Sequence, residues 1–434
     1  MKQINLTENV ELIKKMKISI LLLSIYTFLA LNYYFVIAEV FNYSGFLITY
    51  FSYGKFSLIL LITFFLVCMS MFFKNSFYKL MYSISLILFY FGQSIYYIFN
   101  DTDLILVIYI IVPLLLIFII DKLDTKKVIR PRVVNLRDKN TKFFLVLIVL
   151  LLLVPFFQYI GTVNLKNLLL LEIYETRSAL QSHDRGLLGY LFSPLTRIIL
   201  PVLFIYGVTK KNKTLIGISL LAVIAMFLLN GAVKSVFFGI LCAIFFISGN
   251  YIIKEIRFLR ALLFTNILAL FTFVFFDSYL INDYLRRIFF VPASLFNTYY
   301  KYFNENFTYF NHSKLFSVIG LTEREMPLGL FVGEYVIGQK GLNANTGIFV
   351  EGFVSFGTLG VILISCVFAS IIFIIKKLNT EEAYFGVFFV YVYIINTSFI
   401  EPLLLTHGLF FLIFFSAFFI PKKIFKHQPQ KVEI

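Results

Sequence analysis

Long apolar runs broken by short polar segments extend along the whole chain. A helix needs about 20 apolar residues to cross a bilayer. Twelve runs meet that length: 16–38, 56–73, 77–99, 103–120, 143–160, 187–208, 214–230, 235–252, 258–276, 346–375, 383–400 and 403–420. The pattern predicts an all-α polytopic membrane protein with about twelve transmembrane helices, a single integral membrane domain over 1–434. The runs 214–230 and 235–252 are joined only by "GAVK", and the last two only by "EP". The first run is too long for a signal-peptide core and is followed by many more, so it reads as a retained signal anchor.

The polar segments orient the set, because cytoplasmic loops carry an excess of lysine and arginine. With both termini inside, the inner segments hold 26 of the 38 lysines and arginines but 9 of the 23 acids. The strongest block is "DKLDTKKVIRPRVVNLRDKNTK" (121–142), which this places in the cytoplasm. Two large segments, 161–186 and 277–345, fall outside. Within the second, Asp283 is placed to cap a helix that carries Leu285, Ile288 and Phe289 on one face until Pro292 breaks it. Such a helix would lie on the membrane surface or roof a cavity; the plainer reading is a packed lid.

Composition agrees and narrows the function. Hydrophobic residues make up 60% of the chain and charged residues 14%, with mean hydropathy +0.89, so lipid is the solvent. The net charge of +15 follows from the inner loops and anionic headgroups and does not call for nucleic acid. Cys68, Cys242 and Cys366 each lie in an apolar run and read as buried thiols. The chain has no GxxxxGK[ST] phosphate loop, so its chemistry is expected to run without ATP. No internal repeat is visible, which weakens an inverted-repeat transporter reading.

One residue does not fit the pattern. Arg197 stands in the middle of "LGYLFSPLTRIILPVLFIYGV" (188–208), where a charge costs at least about 2.5–3.5 kcal/mol. Arg177 and Arg185 lie just before that run, Lys234 in the turn after the next, and Arg286, Arg287 and Arg324 in the long outer segment. Together they could surround a multiply charged anion. Alternatively, each pairs with an outer acid such as Glu172, Glu175, Asp184 or Glu323. Metal chemistry has little support: His183, His312, His407 and His427 lack ligand spacing, and "DTD" (101–103) falls in a short turn where Asp caps the next helix.

The stretch "NANTGIFVEGFVSFGTLGVIL" (343–363) ends the long outer segment and opens a span. Gly347, Gly352, Gly357 and Gly360 are expected along one helix, permitting close helix approach. The Asn-x-Asn-Thr-Gly opening and the following Phe-Gly-x-x-Gly helix resemble the Wzy-type O-antigen and capsular repeat-unit polymerases. The twelve-span plan and the two outer loops with arginines resemble them as well. Arg177 to Gly189 and Arg324 to Gly341 loosely match that family's arginine-then-glycine pattern. Related O-antigen ligases carry His-Asn here, whereas Ala344 precedes Asn345 in this chain, which favours polymerase over ligase.

The resemblance implies a glycosyltransferase of the bacterial plasma membrane that acts at its outer face without cofactor, metal or nucleotide. Donor and acceptor would be polyprenyl-diphosphate-linked oligosaccharides, and a chain-length regulator (co-polymerase) would be a partner. Arg197 would stabilise the departing diphosphate. Arg177, Arg185, Lys234, Arg324, Asn343 and Asn345 would bind diphosphate or sugar. The attacking hydroxyl calls for a base, with Glu351, Glu401, His312 and His407 as candidates; Glu351, one turn after Gly347, is expected to face an outer cavity. A lipid-linked oligosaccharide flippase or another secondary transporter is the alternative from a different class. A non-enzymatic scaffold would not need Arg197.

Overall fold

A computed structural model describes residues 2–124, 163, 166–167, 175–176, 189–230, 233–313, 315 and 326–421. Among them the chain is helical, without strands. Eight helices are long and apolar enough to cross a membrane: α1 (Ile13–Val40), α2 (Tyr53–Phe72), α3 (Ser76–Phe99), α4 (Leu104–Leu123), α5 (Leu191–Thr209), α8 (Tyr251–Phe276), α10 (Ile348–Lys377) and α12 (Ile400–Phe418). Three shorter apolar helices are α6 (Lys213–Leu229), α7 (Lys234–Phe246) and α11 (Glu382–Ile395). Segment α9 joins Leu280–Leu285, Arg286–Phe290 and Val291–Phe303. Eleven of the twelve apolar runs thus fall on these helices. The run 143–160, most of the basic loop 121–142 and most of the segment 161–186 lie outside the described residues.

The chain divides into two compact units. The first holds Met1–Thr125, Asn250–Phe373 and Val392–Glu401; the second holds Lys126–Gly249, Ile374–Tyr391 and Pro402–Ile434.

In the first unit α3 is buried along its whole length, yet it is one of the two least apolar stretches in the set. No lipid faces it, so it carries Ser83, Ser85, Gln93 and Ser94 inside. Buried amides also tie helices together. Asn32 donates to the Asn266 carbonyl at 3.0 Å and accepts from Asn282 at 2.8 Å. Hydrogen bonds of this kind between helices are paired because hydrocarbon offers no substitute. By contrast, Phe264, Phe271, Val274 and Phe275 of α8 point outward, the face a membrane-embedded helix gives to lipid.

The glycine helix departs from the expectation. α10 bends at Phe356 (φ −145°) and Gly357 (φ 60°, ψ −140°), so the four glycines do not share one straight helix. The bend folds its two arms together. A methyl at Gly360 would lie 1.8 Å from the Gly352 carbonyl oxygen, and one at Gly352 2.6 Å from that of Gly360. Two carbonyls near the bend accept from elsewhere: Thr308 N–H donates to Val354 O at 2.8 Å and Tyr309 N–H to Ser355 O at 3.2 Å.

Three smaller expectations also change. The helix containing Asp283 begins at Leu280 and continues past Pro292, because the wide turn Arg286–Phe290 precedes it and proline sits within the first turn of Val291–Phe303. Leu285 and Phe289 are buried on it as expected. Asp103 stands at the start of α4 without capping it; it accepts instead from the Tyr300 phenol, whose pKa is raised by burial first and by that carboxylate second. The three cysteines are free, but of them only Cys242 is buried; Cys68 is half-buried and Cys366 exposed.

Candidate functional site

Arg197 belongs to the second unit, at the centre of a π-helical turn, Leu195–Ile199, inside α5. Such turns displace the backbone from the regular ladder and recur at functional sites. The next helix but one, α7, crosses close to it through Gly239. A methyl at Gly239 would lie 2.6 Å from the Thr196 carbonyl oxygen and 3.1 Å from Arg197 Cα.

The second side of the site comes from α12, which is not continuous. Helix runs over Ile400–Leu404 and again over Leu409–Phe418, with a break between them. Gly408 turns the chain there at φ 82°, and a methyl on it would meet Pro194 at 2.8 Å. His407 lies in the break. Its N–H donates to Pro402 O at 2.7 Å, and its carbonyl accepts from Tyr391 at 2.7 Å and from Ser193 at 3.4 Å. Non-helical backbone at membrane depth is tolerated where it is covered by protein or lines a polar cavity.

Such a cavity is present. It measures about 250 Å³ and is lined by Phe192, Ser193, Thr196, Arg197, Asn230, Val233, Ser235, Val236, Thr406 and His407. Arg197 Nη1 lies 2.8 Å from His407 Nδ1. Among the described residues Arg197 forms no ion pair with a carboxylate. A half-buried guanidinium in an apolar span, held by a neutral acceptor, leaves its charge for something that enters the cavity.

No family model, curated protein or solved structure matches the chain. The chemistry therefore has to be argued from the site itself.

The other expected site residues fall as follows. Arg177, Arg185 and Arg324 lie outside the described residues. Lys234 is exposed at the start of the turn Lys234–Phe237; its neighbours Val233 and Ser235 line the cavity, and Lys234 does not. Arg286 and Arg287 both pair with Asp283, at 2.7 and 2.9 Å, and Arg286 also stacks on Phe41. The plainer pairing reading holds for these two, although the acid was not among those expected.

Glu351 is in the first unit. Rather than facing an open cavity it is 1% exposed. Its Oε2 accepts from Ile400 N–H at 2.5 Å, and Oε1 lies 3.4 Å from His312 Nε2. Thr308 holds the other ring nitrogen of His312 at 3.0 Å, and Glu401 accepts from Ser313 at 2.8 Å. Three of the four candidate bases thus cluster in this unit. Asn343 and Asn345 are exposed beside Gly329, where a methyl would lie 2.2 and 2.8 Å from their side-chain oxygens. Among the described residues no group of three His, Cys, Asp or Glu could hold a metal ion.

Sequence reading missed the cavity's polar lining. Ser193 precedes Arg197 by four positions, a spacing that shares a helix face and was available as a signal; Thr196, its immediate neighbour, was not. Gly239 and Asn230 gave none, since their role depends on which helix they meet.

Proposed function

We propose that this chain polymerises polyprenyl-diphosphate-linked oligosaccharide repeat units at the outer leaflet of the bacterial plasma membrane. One observation carries the reading: Arg197 occupies a polar cavity inside an apolar span, with a histidine and no carboxylate as its described partner. An arginine so placed suits a lipid-borne diphosphate, because its planar fork takes two phosphate oxygens at once and stays charged.

The reaction needs no nucleotide. A hydroxyl of the incoming lipid-linked unit attacks the anomeric carbon of the growing chain. The bond from that carbon to phosphate oxygen breaks, and the electron pair leaves on the polyprenyl diphosphate. Charge gathers on that leaving group, where a preorganised cation stabilises it most. Gly239 lets α7 pack against the Arg197 backbone and the His407 ring holds the guanidinium, and both support the preorganisation. The proton of the attacking hydroxyl passes to an oxygen of the departing diphosphate. Asn343 and Asn345 offer amides to sugar hydroxyls.

The test is a deletion strain complemented with variants, followed by a ladder gel of surface glycan. Arg197→Ala should leave single-repeat glycan only, at normal protein level. Arg197→Lys should restore part of the ladder, since a point charge loses the two-oxygen geometry. A full ladder from Arg197→Ala would remove the diphosphate role. Accumulation of lipid-linked units on the inner face would instead favour the flippase reading.

A further inference from the structure

His407 was one of four candidate bases, and its geometry argues against that role. A guanidinium has no lone pair, so in the 2.8 Å contact Arg197 donates and His407 Nδ1 accepts. A neutral ring with Nδ1 accepting carries its hydrogen on Nε2. Nδ1 is therefore committed to Arg197, and Nε2 is a donor with no hydrogen bond to a described residue. The ring lines the same cavity as the guanidinium.

We propose that His407 is a positioning residue that orients Arg197 without neutralising it, and that its Nε2–H supplies a second, uncharged donor to a phosphate oxygen in the cavity. This rests on the diphosphate reading of the site and adds to it how the charge is kept available. An aspartate or glutamate here would also orient Arg197, but it would form an ion pair and repel an entering anion. A second lysine or arginine would repel Arg197. A neutral ring that accepts on one side and donates on the other meets both needs.

The fold fixes the ring's position independently of any ligand. Tyr391 and Ser193 hold the His407 carbonyl, Pro402 accepts its N–H, and Gly408 packs on Pro194 three residues before Arg197. These anchors belong to the same unit as Arg197. The arrangement is built from three separate parts of the chain, and it places a neutral acceptor where a stabilising acid would be expected for a buried arginine.

The test uses the full chain in phosphatidylcholine nanodiscs, with farnesyl diphosphate as the probe and inorganic pyrophosphate and phosphatidylglycerol as comparisons. Wild type should bind farnesyl diphosphate, and Arg197→Ala should not. His407→Gln, whose amide both accepts and donates, should stay within about 3-fold of wild type. His407→Glu should weaken binding about 10–100-fold, the span for losing one hydrogen-bonded charge. Equal binding by wild type and Arg197→Ala would overturn the diphosphate site itself. Tight binding by wild type that His407→Glu preserves would overturn only the role given to His407, as would a His407→Gln loss as large as that of His407→Glu. Preferential binding of phosphatidylglycerol would assign the cavity to ordinary anionic lipid and overturn both. Should His407→Glu fail to fold, the ¹⁵N spectrum of histidine-labelled wild type decides, with the His407 signals assigned from His407→Gln. The Nε2–H tautomer is expected at pH 7, and an imidazolium or an Nδ1–H ring would overturn the proposal.

Discussion

Gly239→Ala places one methyl group against the backbone that carries Arg197. That methyl would lie 2.6 Å from Thr196 O, 3.0 Å from the Pro201 ring and 3.1 Å from Arg197 Cα. A carbon rests against a carbonyl oxygen at about 3.3–3.6 Å, so α7 or the π-helical turn must give way by about 0.7–1 Å. None of the three contacts is the far end of a flexible chain, so the displacement falls on helix backbone. The stability change is modest. Overpacking costs about 1–3 kcal/mol, and alanine in a helix recovers about 0.5–1 kcal/mol over glycine. The effect on activity is larger, because misplacing a catalytic group by about 1 Å can cost about 100-fold. The expected result is a protein made at near-normal level whose repeat-unit extension rate falls about 10–100-fold. Gly217→Ala is the control, since nothing lies within 4 Å of a methyl there and its helix, α6, belongs to the same unit. Initial rates on a purified lipid-linked repeat unit, normalised to folded protein, measure both. A Gly239→Ala rate equal to wild type would refute the claim that the Arg197 backbone must be held in place. So would an equal loss in Gly217→Ala.

Glu351→Ala should destabilise the protein by about 1–3 kcal/mol, since it removes the acceptor of the half-buried Ile400 N–H and the partner of His312 Nε2; thermal unfolding in detergent reads this. Glu351→Gln should keep most of that stability through its amide oxygen, and a loss as large as that of Glu351→Ala would refute the hydrogen-bond account. Purified protein should extend a diphosphate-linked repeat unit with a chelator present and no nucleotide added, and Asp101→Ala with Asp103→Ala should leave that activity largely intact. Chelator inhibition relieved by magnesium or manganese would point to a metal site instead of the arginine. Reporter fusions at Thr125 and Asn306 should report the inner and outer faces respectively; the same face for both would make the number of crossings between them even.

Hydropathy alone located the helices. Eleven of the twelve apolar runs lie on helices in the described residues, because transfer to lipid is summed residue by residue along a local stretch and needs no knowledge of neighbours. Arg197 was legible for the same reason: a charge in an apolar run is out of place wherever the run packs. Pairing was not legible. His407 is 210 positions from Arg197, and nothing in either local sequence says that the two meet. Hydropathy also read 403–420 as one span, because the apolar residues on either side outweigh Thr406, His407 and Gly408 when a whole span is averaged. The glycines of 347–360 promised close approach, but a bend at Gly357 made Gly352 and Gly360 face each other within one segment. Asp283 rather than any expected acid took up Arg286 and Arg287. Which helix meets which, and where a span breaks, is decided by side-chain shape and hydrogen bonding between distant segments. Composition along the chain carries the cost of entering the membrane, whereas only the packed tertiary structure sets the partners found there.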